Sequence, residues 1–505
     1  MGSDSRALQA MASRHPWLAV LAALLLCAVL ALVAGYLLAE LGALIAVAAL
    51  VALFGALWML RNIEVAYWAT IAVVCLLPFA SFPFSIGFTP TLLDAALGAL
   101  FVVWALSMAT SGHREFITTP VGLPIAVFML LAVGTFVYGL TNAALTAYDL
   151  RHFGELLLSI ALFFLVVNTV RDEARLRRIV SALLICTTAT AAVGIVLYVI
   201  ADQISPNLTI QALSALGRLG YPTGSGVLRY IREDPEAAMR ATSTSIDPNV
   251  LGSLLNIALA ISVPQLFAPQ PMIRRRYLWP MVGIMGLCLF LTLSRGSLVG
   301  LAVAVAALAT LRYRRLWPLL LVAFVLVIAL PQTRGLVDHF LQGFRKQDLA
   351  TQMRLGEYKD ALILIRRYPW LGVGFSGSPD IDTYIGVSMV YLLIAEQMGL
   401  VGLACFLIVM VVILARFWRR RRQAAGQPTL EPLWWGLHAG IFGALVGGVF
   451  DHYFFNLDFH HSVTLFWLLV GLASAATNLV SGGAEQKGEP DDASVPCVVP
   501  GAELR

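Results

Sequence analysis

Long apolar stretches recur along almost the whole chain, and they constrain its fold more than any other feature of the sequence. From Trp17 to Val480, successive stretches are each long enough to cross a bilayer as a helix. Of the 505 residues, 59% are hydrophobic and 12% are charged, whereas soluble domains are roughly 25% charged. The pattern predicts an all-α polytopic membrane protein with about 14 (about 12 to 14) transmembrane helices, at about 17–37, 39–60, 65–80, 91–110, 120–140, 153–170, 178–200, 248–268, 277–294, 296–312, 316–331, 387–416, 434–450 and 462–480.

The distribution of arginine orients these helices. If both termini are cytoplasmic, every basic cluster in a short loop falls on the cytoplasmic side, as the positive-inside rule requires. The net charge of +5 therefore reflects this bias and contact with anionic lipids, and it gives no reason to expect a nucleic-acid partner. The clusters are Arg171/Arg175/Arg177/Arg178, Arg274/Arg275/Arg276, Arg312/Arg314/Arg315 and Arg416/Arg419/Arg420/Arg421/Arg422.

The spans and the hydrophilic segments between them divide the chain into eight regions. The first span lacks a small-residue cleavage site before the next apolar run, so we expect it to be retained. The regions are a cytoplasmic N-terminus at 1–16, an extra transmembrane helix pair at 17–60, an N-terminal bundle at 61–200, an external loop at 201–247, central helices at 248–331, a long external loop with an amphipathic helix at 332–386, C-terminal helices at 387–480, and a disordered cytoplasmic tail at 481–505.

The first external loop ends in a helix-start signal. Asp247 is a plausible N-cap, and Pro248 suits the first turn of the helix that follows. The N–H groups that open this helix could receive an anion, although a simply capped helix is the more frequent meaning of such a motif.

The second external loop contains a pattern of apolar residues at helical spacing. Arg354 and Glu357 are neighbours beside this stripe, and the helix should stop at Tyr368, because the residue before Pro369 disfavours α geometry. We predict an amphipathic helix that lies on the outer interface above the bundle, or else a surface lid whose charges are solvated. The stripe consists of Leu355, Tyr358, Leu362 and Ile365.

Two charged residues interrupt apolar sequence. A guanidinium at membrane depth costs roughly 2.5–3.5 kcal/mol, so Arg295 needs a partner, either a carboxylate or the phosphate of a lipid-linked substrate. Glu396 is a functional candidate for the same reason. His452 follows Asp451 in an aromatic segment that is more often an interfacial belt than a catalytic site.

No metal or cofactor is expected from the remaining residues. The six cysteines form no CxxC and no metal-spaced cluster, and His452, His460 and His461 lack the spacing of a helical zinc motif. The chain also contains no nucleotide-binding fingerprint.

Four motifs follow one another on the predicted external side. They are Arg240-Ala-Thr with Asp247-Pro248-Asn249, then Ser294-Arg295-Gly296, then Arg354-x-x-Glu357-Tyr358 running into Pro369-Trp-Leu-Gly372-Val-Gly374, and finally Tyr391-Leu with Ala395-Glu396-x-x-Gly399-Leu-Val-Gly402. In this order they resemble the bacterial O-antigen ligase and O-antigen polymerase superfamily, which are multispanning glycosyltransferases of the GT-C kind. The resemblance spans about 65–480, and the first helix pair is an addition.

The resemblance implies roles for particular residues. Arg240 and Arg295 match arginines with which the family holds the carrier diphosphate, and we predict that both converge with Arg354 on one external cavity. The family's catalytic histidine, about nine residues before the equivalent of Glu396, is missing here, because the stretch reads Gly386-Val-Ser-Met-Val. The replacements we would test as catalytic base are His452 first, then Glu357, then Glu396, with Asp451 orienting the ring of His452.

The function that follows is a metal-independent glycosyltransferase in the bacterial inner membrane. Its donor would be an undecaprenyl-diphosphate-linked oligosaccharide, and its acceptor either another glycan, in a surface-polysaccharide polymerase, or lipid A core, in an O-antigen ligase. Membrane lipids and other polysaccharide-assembly proteins are the further partners. Of these two functions we favour the polymerase. Two other classes stay open, a transporter of lipid-linked sugars, which should show repeats and broken helices, and a structural subunit of a polysaccharide assembly.

Overall fold

The computed structural model describes residues 55, 58–59, 62–85, 87–110, 116–231, 238–329, 349–377 and 386–488. Almost all of the predicted extra helix pair at 17–60 and most of the predicted tail therefore lie outside the described residues. The described part is mostly helical. The helices are α1 (Ile63–Leu76), α2 (Leu92–Thr110), α3 (Gly122–Gly139), α4 (Ala147–Thr169), α5 (Glu173–Val199), α6 (Pro206–Ser214), α7 (Pro248–Phe267), α8 (Arg275–Thr292), α9 (Arg295–Leu311), α10 (Leu316–Ala329), α11 (Leu349–Arg367), α12 (Val390–Ala424), α13 (Glu431–Gly447) and α14 (His460–Gly488).

The predicted all-α membrane class agrees with these helices, but the predicted number of spans is not confirmed. By length and composition, seven of the helical segments in the described residues could cross a membrane. Helices α1 and α9 are apolar but shorter. The one sheet in the described residues pairs β1 (Arg229–Tyr230) with β2 (Met239–Arg240) in antiparallel register.

Helix α14 differs from its prediction at its C-terminal end. It continues to Gly488, so residues 481–488, predicted to belong to a disordered tail, are helical. The segment Ala484-Glu-Gln-Lys487 consists of residues with high helix propensity, which extends a helix that has already been nucleated by its buried part.

The described residues form two compact units. One comprises the residues up to Thr70 together with Ala95–Phe116, and the other, the main unit, comprises Ile71–Asp94 and everything from Ile117 onward. Within the main unit, α7, α13 and α14 are the most deeply buried helices. Glycines allow α7 and α13 to pack closely, since a Cβ added at Gly436 would lie 2.7 Å from the carbonyl oxygen of Ile261.

Helix α12 is broken at Gly399, which has φ 67° and ψ −176° inside an otherwise helical run. The segment 368–374 satisfies the main-chain groups that the break leaves unpaired. The N–H of Val373 donates to Glu396 O (2.9 Å), and the N–H of Leu400 donates to Pro369 O (2.7 Å). The glycine-rich segment 368–374, which we call the plug, therefore covers the break in α12. Main chain that departs from a helix is tolerated at membrane depth only where protein covers it.

One end of the main unit gathers the residues singled out by the sequence. At this end, which we call the site end, α7, α9, α12 and α14 begin and α8 and α13 end. The C-terminus of α13 lies beside the start of α12, because the N–H of Val390 donates to Gly448 O (2.9 Å). The loop 448–456, which carries Asp451 and His452, therefore adjoins the first turn of α12.

Candidate functional site

The centre of the site is an ion pair between α11 and the loop 448–456. Arg354 Nη2 lies 3.1 Å from Asp451 Oδ1, and both side chains are mostly buried. Burial by itself would lower the pKa of Arg354, but the Asp451 carboxylate, together with Tyr358, Tyr453 and Glu357, raises it. Arg354 is therefore a permanent cation at the site end.

A second arginine lies near this pair and is held by neutral groups. Arg240 Nε donates to Thr292 O (2.8 Å), and its Nη2 donates to Asn249 Oδ1 (2.6 Å). Burial lowers the pKa of Arg240, while the carboxylates of Asp247 and Asp451 oppose that shift. Because neither hydrogen-bond acceptor is charged, the guanidinium is fixed in place but keeps its positive charge available.

Asp247 caps α7 as the sequence predicted. Its Oδ1 accepts hydrogen bonds from the N–H groups of Asn249 (2.7 Å) and Val250 (3.0 Å), and Tyr453 Oη lies 3.3 Å away. The same contacts contradict the idea that this helix start could receive an anion. The Asp247 carboxylate already occupies the N–H groups and would repel a second negative charge.

Arg295 is the first residue of α9, and Leu293 before it has a left-handed φ of 52°. The first turn of α9 packs against the loop 448–456, since a Cβ added at Gly296 would lie 2.8 Å from Asp451 Oδ2. Arg295 therefore starts its helix next to the residue that pairs with Arg354.

A cavity of about 370 Å³ opens beside the arginines. Its volume lies within the ~300–1,000 Å³ range of small-molecule sites. Glu357, Ser388 and His452 line it, whereas Arg240, Arg295 and Arg354 do not. The convergence of all three arginines on one cavity therefore stays a prediction. Its other lining residues are Tyr148, Asp149, Phe375, Gly386, Leu393, Gln397, Asn456, Leu457, Asp458 and Phe459.

The Arg354–Asp451 ion pair and the cavity are nevertheless built from the same two elements. Arg354 and Glu357 lie one turn apart on α11, and Asp451 and His452 are adjacent in the loop 448–456. Helix α11 and the loop 448–456 thus each contribute one residue to the ion pair and another residue to the cavity wall.

Glu357 is held in place by Ser388. Ser388 lies in the segment 386–390, where the catalytic histidine of the family is missing. Glu357 Oε2 accepts hydrogen bonds from the N–H of Ser388 (3.0 Å) and from Ser388 Oγ (2.6 Å). These two hydrogen bonds fix the orientation of the Glu357 carboxylate.

His452 reaches the cavity, but Asp451 does not orient its ring. The Nδ1 atom of His452 is buried without a hydrogen-bond partner in the described residues, while the carboxylate of Asp451 bonds to Arg354. Burial lowers the pKa of His452, against the opposing effect of Glu357 and Asp247. The imidazole is therefore neutral near pH 7 and can accept a proton.

Glu396, the third predicted candidate, lies outside the cavity lining. It is buried, and neither carboxylate oxygen makes a hydrogen bond within the described residues. Its main-chain carbonyl accepts the hydrogen bond from Val373 that closes the break in α12.

The face of α11 that packs on the protein is not the predicted stripe. Leu355 is 40% exposed and Leu362 is 52% exposed, whereas Ala361 and Leu364 are buried. The predicted stripe stays largely outside this contact, whereas the polar pair Arg354 and Glu357 faces inward, where Asp451 and Ser388 bind it. Specific ion pairs and hydrogen bonds outweigh the hydrophobic pattern at this helix.

Several residues at the site were not found by sequence reasoning. Asn249 was read only as part of a turn, although it binds Arg240. Tyr148 donates a short hydrogen bond to Asp458 across the cavity, and the two lie 310 residues apart. No local pattern signals such a contact.

The electrostatics of the site centre on Asp451. Burial raises its pKa from 3.8 to about 6, with Asp247 adding to the shift and Arg354 and Arg240 opposing it. The carboxylate is therefore ionised at neutral pH but titrates within the range of ordinary assays.

The fold and the site together define a polytopic membrane protein that holds cationic side chains next to a polar cavity at one end of its helices. Residues 280–407 match the family model Wzy_C, described as O-antigen ligase. The match confirms the resemblance to the O-antigen ligase and polymerase superfamily over this segment. The segment runs from α8 into α12 and includes Arg295, Arg354, Glu357 and Glu396. A comparison with curated proteins gives no match.

The family and the apolar helices indicate a membrane protein, of the inner membrane, with a role in glycan processing. The family also indicates a glycosyltransferase-like enzyme that uses a lipid-linked glycan and an acceptor.

Proposed function

We propose that the protein transfers an oligosaccharide from undecaprenyl diphosphate to a sugar hydroxyl at the external face of the inner membrane. The observation that supports this most is that the Arg354–Asp451 ion pair, with Arg240 near it, adjoins a polar cavity, and that the ion pair and the cavity are both built on α11 and the loop 448–456. A carrier-linked glycan consists of a diphosphate, which the arginines would bind, and a sugar chain, which the cavity would hold.

The arginines act on the leaving group in this scheme. When the anomeric carbon separates from the carrier phosphate, negative charge grows on the diphosphate. Arg240, Arg295 and Arg354 stabilise that charge, and a planar guanidinium binds a phosphate in a bidentate manner. These side chains supply the positive charge that a metal ion supplies in other transferases, so the transfer itself is metal-independent.

A side chain in the cavity accepts the proton of the acceptor hydroxyl. The acceptor oxygen bonds to the anomeric carbon, the bond from that carbon to the phosphate oxygen breaks, and the carrier diphosphate leaves. We assign the proton to Glu357 or His452, because both line the cavity, and we place Glu357 first because Ser388 orients it. Glu396 is the least suited of the three, since it does not line the cavity.

The proposed acceptor is a second carrier-linked glycan, which makes the protein a polymerase of a surface polysaccharide, either an exopolysaccharide or O-antigen. The altered catalytic segment around Ser388 is the feature that favours this assignment. Because the matched family is described as O-antigen ligase, transfer to lipid A core is the second candidate.

Reconstitution of the full chain in liposomes tests the proposal. Purified carrier-linked glycan is supplied alone in one arm and with lipid A core in another, and glycan length and free carrier diphosphate are measured. Elongation in the first arm supports a polymerase, and transfer that needs lipid A core supports a ligase. Movement of the intact carrier-linked glycan across the bilayer without release of carrier diphosphate would contradict both and point to a transporter.

A further inference from the structure

A second cluster of ionisable side chains lies at the site end, outside the machinery described above. Asp94 is in the first turn of α2, Glu155 is in α4, and His460 is the first residue of α14. One ligand atom from each lies within 4.8 Å of the others. All three belong to the main unit.

His460 is the distinctive member of this cluster. It is only 8% exposed, and neither ring nitrogen has a hydrogen-bond partner within the described residues. Its Nδ1 nevertheless points between the two carboxylates, 3.5 Å from Asp94 Oδ1 and 3.8 Å from Glu155 Oε2. Two ligands of a tetrahedral zinc ion, each about 2.0–2.1 Å from the metal, lie about 3.4 Å apart.

The carboxylates are oriented by groups on their other oxygens. Asp94 Oδ2 accepts hydrogen bonds from the N–H of Thr91 (2.7 Å) and from Arg151 (3.3 Å). Glu155 Oε1 accepts one from Arg151 Nε (2.8 Å). The oxygens that face His460 are Asp94 Oδ1 and Glu155 Oε2, and His152 Nδ1 also lies 3.1 Å from the latter. Such outer contacts are what metal-binding carboxylates require.

The cluster contains one more carboxylate than permanent cations. Asp94 and Glu155 carry two negative charges and Arg151 carries one positive charge, and His152, 3.1 Å from Glu155 Oε2, balances the remaining charge only when it is protonated. Glu155 is only 6% exposed, and an uncompensated charge in such surroundings is costly. A cation among these three side chains would compensate it, and a neutral imidazole would then be a ligand rather than an orphan.

We propose that Asp94, Glu155 and His460 bind a divalent transition metal of the zinc class. One nitrogen and two carboxylate oxygens are a zinc-type ligand set, whereas calcium and magnesium prefer oxygen alone. The metal joins the starts of α2, α4 and α14 and takes no part in the transfer reaction.

The position of this site gives the metal a structural role. Tyr148 and Asp149 in the first turn of α4, and Asp458 just before α14, line the candidate cavity. His152, which flanks Glu155, contacts Tyr148 with its ring, and its Nδ1 lies 3.2 Å from Leu457 O. A metal one helical turn away would hold this wall of the cavity in place.

The test measures metal content and does not depend on transfer activity. The full chain is purified in detergent with a tag that lacks histidine, stripped with a chelator, incubated with Zn²⁺ and dialysed. Bound zinc is then measured by elemental analysis, and the Tm is measured with and without Zn²⁺. The variants are His460→Ala and Asp94→Asn. The matched control is His461→Ala, a neighbouring buried histidine whose ring contacts Phe79 and Phe459.

We expect about one Zn²⁺ per chain and a rise in Tm on adding zinc in the wild type and in His461→Ala, with both effects lost in His460→Ala and Asp94→Asn. The conservative Asp94→Asn keeps the test valid if His460→Ala does not fold. If the wild type binds no zinc, the cluster is an ion-pair network with a protonated His460, and the proposal is wrong. Equal zinc content in all four proteins would likewise overturn it, because the metal would then lie elsewhere.

Discussion

At the scale of single residues, the two arginines near Asp451 differ in what holds them. Arg354 is paired with a carboxylate, whereas Arg240 is held by a carbonyl and an amide oxygen. Neutral acceptors orient a guanidinium without cancelling its charge, so Arg240 keeps the greater capacity to bind a diphosphate. The ionised Asp451 carboxylate offsets part of the charge of Arg354, but it is also the contact that holds this guanidinium in place.

The first prediction concerns Arg240. Arg240→Lys retains the charge but loses the planar guanidinium and at least one of its hydrogen bonds, so transfer should fall about tenfold or more while the Tm changes little. Arg218→Lys is the matched control, because Arg218 lies in the same external loop but is exposed. Rates from liposomes at equal protein content check this. Equal rates for the two variants would make Arg240 a structural residue.

The second prediction is a pH dependence that comes from Asp451. The pKa of Asp451 is raised to about 6. Transfer should therefore decline as the pH falls through about 6, because protonation of Asp451 breaks the ion pair that holds Arg354 in place. Asp451→Asn resembles the protonated state, so its rate should be low and should change little between pH 7 and pH 5. An acid limb that persists in Asp451→Asn would assign the titration to another group, such as His452.

Folding changes in the opposite sense over this pH range, which separates the two effects. The folded state binds the Asp451 proton more tightly than the unfolded chain, whose pKa is near 3.8. Asp451 therefore favours folding at low pH, and this contribution is lost as the pH rises from about 4 to about 6. A decline in transfer near pH 6 without a decline in Tm would report on the ion pair rather than on unfolding.

At the scale of elements, the sequence motifs in the last third of the chain stabilise the break in α12 as well as contributing residues to the candidate site. Gly372 and Gly374 have positive φ values, and a Cβ at Gly374 would lie 2.4 Å from the Cα of Gly139 in α3. The plug at 368–374 is thus tightly packed between α12 and α3. A glycine-rich motif of this kind signals a close approach of main chains, although its partner cannot be read from the sequence.

The third prediction tests this close approach with two glycines of one helix. Gly139→Ala places a Cβ 2.8 Å from the Cα of Gly374, whereas Gly134→Ala meets nothing within 4 Å. Overpacking typically costs about 1–3 kcal/mol, so Gly139→Ala should lower the Tm by several degrees and reduce transfer. Gly134→Ala should match the wild type in both. If Gly139→Ala is equally harmless, the plug is not packed as described.

At the scale of the whole molecule, the sequence predicted the helices better than the site. Hydrophobic runs predicted nearly every long helix in the described residues, because the bilayer imposes a length and a composition on each span. Polar contacts between distant segments impose no such pattern. The bond from Ser388 to Glu357 and the ion pair from Arg354 to Asp451 join residues 31 and 97 positions apart. The inward face of α11 was missed for the same reason.

In the proposed reaction, the acceptor hydroxyl loses its proton in the cavity beside the arginines. A single-turnover experiment with labelled carrier-linked glycan measures it most directly, since it separates donor binding from transfer. We expect Glu357→Gln to bind the donor as the wild type does but to transfer it about 100-fold more slowly or worse, in keeping with general-base contributions of about 10²–10⁴-fold. His452→Gln serves as the comparison for the other cavity-lining candidate. If both variants transfer the glycan at the wild-type rate, the cavity is not the site of the reaction.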